Sequence, residues 1–144
     1  MLKIEYLLSQ KWTKLLDNIN DPENNQFPGV YVLAFTDKDL EGKSVRIDDV
    51  FYVGMSNSLG GVKQRLKQFI SGINRGYGHS AGNRFFEEYS KEKSFDVAGH
   101  KKTFFVASLS LSCKVNKNER NPEYLRCMGE VAKFEYEVMA YIKE

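Results

Sequence analysis

The segment PGVYVLAF, residues 28 to 35, is apolar at odd and even positions alike. A strand with one solvated face alternates, because successive side chains point to opposite sides. Continuous apolarity requires cover on both faces, so this segment is read as a strand at the centre of a sheet. The polar stretch TDKDLEGKSVRIDD follows it, and a second strand, VFYVG, occupies 50 to 54. A single intervening loop favours an antiparallel pair. The β-branched and aromatic run KTFFVASLSL, 102 to 111, reads as the third strand.

Helical patterns surround these strands. Leu7, Leu8, Trp12, Leu15 and Leu16 recur at helical spacing and predict one amphipathic helix over 3–19, which Asp21, Pro22 and Pro28 terminate. A helix from Leu59 to Ser71 buries Val62, Leu66, Phe69 and Ile73. The glycine-rich loop GINRGYGHSAG leads to a short helix that Ser80 caps and that runs through Tyr89. Asn121 followed by Pro122 is a helix start, a cap residue with proline in the first turn, for a helix running to the end of the chain. The expected fold is a single α+β domain over residues 1–144, with a three-stranded antiparallel sheet.

Composition bounds the function. At 42% hydrophobic and 13% aromatic, the chain can bury a core. No apolar run approaches the roughly 18 residues of a membrane span, and MLKIEYLLSQKW lacks the apolar core of a signal peptide. Cys113 and Cys127 fit no zinc spacing and no disulfide framework, which makes a reducing cytoplasm the simplest address. The charge distribution is more informative than the net charge of +2. From Val50 through Phe86 there is no carboxylate, where about five are expected from the overall content. Lys63, Arg65, Lys67, Arg75 and Arg84 all lie in that stretch, as on a surface kept clear for a polyanion. Gly54, Gly60 and Gly61 punctuate the passage from strand to helix there, and a glycine turn at a helix N-terminus suits a phosphate.

One residue in the last helix stands against the packing pattern. On a helical wheel Met128, Val131, Ala132, Val138, Met139 and Ile142 share a face, and Glu135 falls in its middle. A buried carboxylate costs several kcal/mol unless it is paired or binds a metal. Either Glu135 is half of a structural ion pair, with Arg65 or another cation as partner, or it is a metal ligand or general base in a cleft. Arg65 lies at the edge of its own helix's buried stripe, where its stem can pack while the guanidinium reaches a cleft.

Gly29-Val30-Tyr31 on the first strand, Tyr52-Val53-Gly54 on the second, Arg65 on the next helix and Glu135 within GEVAKFEYEVMAYIKE on the last appear in that order. Over residues 28 to 142 this order resembles the GIY-YIG endonuclease family. The resemblance implies a three-stranded antiparallel sheet flanked by helices, here with an extra N-terminal helix over 3–19. It also implies hydrolysis of phosphodiester bonds with a single divalent metal, Mg²⁺ or Mn²⁺. Carried over by position, Tyr31 and Tyr52 are the paired tyrosines, with Tyr52 the better candidate to orient or deprotonate the attacking water. Arg65 grips the scissile phosphate, Glu135 holds the metal, and Gly54 allows a tight turn beside the substrate. Lys63 and Lys67 would contact neighbouring phosphates, and His79, which follows Gly76-Tyr77-Gly78 and precedes a helix, either serves a turn or cap or stands near the site. Met55 occupies a place where a lysine is common, and Phe69 one where some members have a tyrosine. DNA is the expected substrate, with RNA open and target choice left to a separate partner. The rival readings are a non-catalytic nucleic-acid-binding module on the same fold and a protein-interaction domain in which Glu135 and Arg65 pair structurally.

Overall fold

The computed structural model of the chain describes residues 2–22, 24–75, 102–113 and 121–144. In chain order its elements are α1 (Ile4–Leu8), β1 (Thr13–Lys14), α2 (Leu15–Asn20), β2 (Gly29–Thr36), a 3-10 turn (Ile47–Asp49), β3 (Tyr52–Ser56), α3 (Gly61–Arg75), β4 (Thr103–Ser110) and α4 (Pro122–Lys143). The expected helix from Ser80 through Tyr89, together with His79 and Arg84, lies outside the described residues.

The doubly apolar segment does form an interior strand. β2 pairs antiparallel with β3 on one side and β4 on the other, and it is buried from Gly29 through Ala34. Its even residues Val30, Val32 and Ala34 join a core with Phe105, Ala107 and the α4 residues Val131, Phe134 and Val138. Its odd residues Tyr31 and Leu33 join Phe104, Val106 and the α3 residues Val62, Leu66, Phe69 and Ile73. One helix therefore covers each face, which is why neither face of β2 alternates with polar residues. The cap predicted for the last helix is present, with the Asn121 side-chain oxygen accepting from the Tyr124 backbone N–H at 2.9 Å.

The sheet has four strands, in the order β1-β4-β2-β3, rather than the expected three. The fourth comes from residues expected to be helical. The 3–19 segment is broken into α1, β1 and α2, with Thr13 and Lys14 opposite Val106 and Phe105 at the sheet edge. The long loop after β2 is the reason. Trp12 donates its backbone N–H to Lys43 and accepts from Gly42, both at 2.9 Å, and Val45 donates to Gln10 at 3.1 Å. Leu40 and Val45 from this loop enter the core beside Leu7 and Trp12. Long-range backbone partners outcompete the helix that the leucine spacing encodes.

The cysteines also depart from expectation. Cys113, just past β4, and Cys127, on α4, form a disulfide. The cysteine argument for a reducing compartment therefore falls away. No helix among the described residues is long and apolar enough to cross a membrane. A crosslink spanning 14 residues stabilises by about 3 kcal/mol through loop-closure entropy. Reduction should therefore lower the denaturation midpoint by a corresponding amount. Equal midpoints with and without reductant, for protein whose free thiols have been titrated, would show that the crosslink carries no such stabilisation.

Candidate functional site

The register of β2 against β3 sets Tyr31 opposite Gly54. β3 is the last strand of the sheet, so its outer edge has no strand partner among the described residues. A Cβ at Gly54 would collide with Cζ and the hydroxyl of Tyr31, so the ring lies across the glycine, toward the sheet edge. Tyr31 is fully buried and Tyr52 is half-buried. Their ring centroids are 6.3 Å apart with planes at 46°. Phe69 stacks on Tyr52 at 6.2 Å and meets Phe104 edge-on at 5.5 Å, which makes it a core aromatic.

Arg65 projects from the shoulder of α3, beside buried Val62, Leu66 and Phe69, and its Nη1 donates to Gln68 Oε1 at 2.9 Å. α4 arrives from the other face of the sheet. Its buried seam is Cys127, Val131, Phe134 and Val138, so Glu135 is not at the centre of the packed face as the wheel predicts. It belongs to a half-buried flank with Met128, Ala132, Met139 and Ile142. That flank follows β3. Asn57, just past the strand, donates from Nδ2 to the Met128 carbonyl at 3.2 Å. At the other end Met139 and Ile142 line a cleft with Val50, Phe51, Tyr52 and Val53. Glu135 lies between these fixed ends, level with the middle of β3, where Gly54 sits.

The electrostatics tie the four residues together. Burial drives the Tyr31 hydroxyl far above the usual tyrosine range, and the nearby Tyr52 and Glu135 push it further. Arg65 opposes them through its charge and a hydrogen-bonding approach to the hydroxyl. These influences favour the protonated hydroxyl of Tyr31, which can donate a hydrogen bond. Burial also raises the Glu135 carboxyl, again with Arg65 pulling the other way. Among the described residues no ion pair within 4.0 Å joins Glu135 to Arg65. The two charges feel each other across a gap, unlike the closed structural pair.

The basic turn is built differently from its sequence reading. The first amides of α3 do not face outward to an anion. Val62 donates its N–H to Phe27 at 3.1 Å and Lys63 donates to Asn25 at 2.8 Å. Gly61, at φ +68°, admits this crossing chain, since a Cβ there would strike the backbone of Gln26 and Phe27. The Lys63 ammonium donates to the Asp21 carbonyl at 2.5 Å, close to this crossing. Lys67 is exposed on α3. Met55 packs with the α4-side core, on the opposite face from Tyr31 and Tyr52.

Asn57 was missed in the sequence, although it lies in the SNS turn after β3. Nothing local marks it, because its partner Met128 is far along the chain. No group of three or more His, Cys, Asp or Glu able to hold a metal occurs among the described residues. Glu135 alone suits a hard divalent ion that keeps most of its waters, and the cost of burying its charge is what such an ion would relieve. Compared with known protein families, curated proteins and solved structures, the chain finds no match.

Gly54→Ala should displace the Tyr31 ring and destabilise the protein by about 1–3 kcal/mol, the usual range for overpacking. Near-UV circular dichroism and a denaturant melt test it, and an unchanged tyrosine signal would contradict the close approach. The raised Glu135 carboxyl sets a second expectation. Its folded-state pKa exceeds the unfolded value, so between the two the folded protein holds the proton more tightly. Metal-free protein should gain stability as pH falls through the folded value and lose it as pH rises. In Glu135→Gln this component of a pH-dependent melt should vanish.

Proposed function

We propose that the chain is a metal-dependent nuclease of the GIY-YIG type that hydrolyses phosphodiester bonds in DNA. The observation that supports this reading best is the meeting of Tyr31, Tyr52, Arg65 and Glu135 at the open edge of β3. These residues come from separate elements, two strands and the helices on opposite faces of the sheet. Packing alone gives no reason to bring a half-buried arginine, a half-buried carboxylate and two tyrosines together without a closed ion pair.

Phosphodiester hydrolysis develops negative charge on the non-bridging and leaving oxygens, and catalysis consists mainly in stabilising it. Arg65 holds the scissile phosphate with a fixed fork of donors. Tyr31, protonated and immobilised across Gly54, donates a hydrogen bond that orients the phosphate or the attacking water. Tyr52 lies at the more open side and positions that water. Glu135 would hold Mg²⁺ or Mn²⁺, and such an ion supplies Lewis-acid stabilisation of the phosphate charge. The carboxylate-free stretch that includes α3 keeps repulsion away from the incoming strand.

Plasmid nicking in Mg²⁺ separates this reading from a non-catalytic binding module. Arg65→Ala should reduce turnover by at least tenfold more than it weakens DNA binding, because the phosphate charge it meets grows in the transition state. Equal losses in binding and turnover would remove its catalytic role. Glu135→Gln should abolish metal-dependent nicking while leaving metal-free protein at least as stable as wild type. A structural pair with Arg65 predicts the reverse, a loss of about 3–5 kcal/mol with no metal dependence. Melts in EDTA and in Mg²⁺, with a short duplex present, distinguish the two.

A further inference from the structure

Beyond the reacting centre, α4 and the start of β3 enclose a cleft of about 230 Å³ lined by Val50, Phe51, Tyr52, Val53, Met139, Ile142 and Lys143. Three features separate it from ordinary surface relief. It continues the Glu135 flank of α4, since Met139 and Ile142 follow Glu135 at one and two helical turns. Its lining is mainly apolar and includes the Phe51 ring, which is 48% exposed even while it packs against Phe35 and Phe104. It also carries a cation and no carboxylate. Two other clefts of about 290 Å³ each carry one cation and two carboxylates, Arg126 with Glu123 and Glu130, or Lys133 with Glu130 and Glu137. The charged residues lining those clefts sum to a net negative charge, whereas the only charged residue lining the β3 cleft is Lys143.

We infer that this cleft is a subsite for one unpaired nucleotide next to the scissile phosphate. The inference deepens the nuclease reading and rests on it. The occupant is a planar base that stacks on Phe51, with its phosphate directed at Lys143. The volume suits a single ring system rather than a drug-sized ligand, whose pockets span roughly 300–1,000 Å³. Aromatic stacking accepts any base, because every base has a π-face. A base held in a continuous duplex is stacked on its neighbours and cannot enter. The substrate class is therefore a nucleic acid with an unstacked nucleotide beside the cleaved bond. An uninterrupted double helix lacks this contact.

The test measures binding by fluorescence anisotropy in EDTA, so that no cleavage occurs, with a labelled single-stranded oligodeoxynucleotide and its matched duplex. Phe51→Leu keeps an apolar side chain in the aromatic cluster but removes the ring. It should weaken single-strand binding by about 5- to 150-fold, the range of one lost stacking contact. Phe51→Tyr should bind as wild type, which controls for folding. Lys143→Ala should weaken single-strand binding a few-fold and lower its salt slope by about 0.7. Duplex binding should change by less than about twofold in all three variants. Wild-type affinity in Phe51→Leu, or equal losses on duplex and single strand, would overturn the subsite. So would conversion of a dimer to a monomer by Phe51→Leu without change in oligonucleotide binding, which would give the cleft to a second copy of the chain. If wild type binds neither nucleic acid, the nuclease reading itself fails. If it binds both and Phe51 does not matter, only the subsite does.

Discussion

The pairing of Tyr31 with Gly54 is the constraint on which the site depends. A tyrosine in the middle of a buried strand normally packs its ring and needs a partner for its hydroxyl. Here the neighbouring strand supplies a residue with no side chain, and the ring passes over it toward the sheet edge. The register cannot slip, because a shift of one residue would set Val53 or Met55 against Tyr31 and turn the whole strand inside out. The burial of β2 on both faces fixes that register from one side. The Phe51 backbone N–H, donating to Leu33 at 2.6 Å, fixes it from the other. A requirement of sheet packing thus sets the position of a hydroxyl at the sheet's open edge.

α4 solves a related problem. A helix packed through Val131, Phe134 and Val138 has two shoulders, and only one of them follows β3. Glu135 lies on that shoulder. Burial raises its carboxyl above the usual range while Arg65 pulls it back, and the residue is only half-buried. Arg65 occupies the equivalent shoulder of the helix on the other face. Opposite charges thus approach one strand edge from opposite layers of the fold. Each is anchored by its own core, so neither needs to contact the other for the fold to be stable. Asn57 and the disulfide hold the first turns of α4, while the seam residues hold its middle.

Much of this was legible in the sequence wherever the determinants are local. The uninterrupted apolarity of β2, the stripe of α3 and the Asn121 cap depend on spacings of a few residues. The N-terminal segment was misread because its leucines do have helical spacing. What breaks the helix is the set of backbone partners at Gly42, Lys43 and Val45, which no periodicity reveals. Cys113 and Cys127 show the same limit, because α4 packing on the sheet brings them together and no spacing rule does. Glu135 was recognised as anomalous, but a wheel gives only the angle of a residue around its helix. The rotation of that helix against the sheet, which moves Glu135 from centre to shoulder, is set by Phe134 and Val131 finding the β2 face.

The basic stretch after β3 shows how charge and geometry divide their roles. A glycine turn opening a helix suggests that backbone amides receive the anion. In this chain the segment at 25–27 takes the first of those amides, and Lys63 is directed to the Asp21 carbonyl. Among the described side chains of this stretch, the Arg65 guanidinium on the helix shoulder and the exposed Lys67 remain for an anion. In the proposed reaction this arrangement is favourable. An amide cradle holds a phosphate in one place before and after reaction, as uniform binding does. A single guanidinium beside a protonated tyrosine and a reluctant carboxylate interacts most strongly when charge on the phosphate grows. The sequence from Val50 to Phe86 adds no carboxylate to that field, and the glycine at 61 serves the crossing chain.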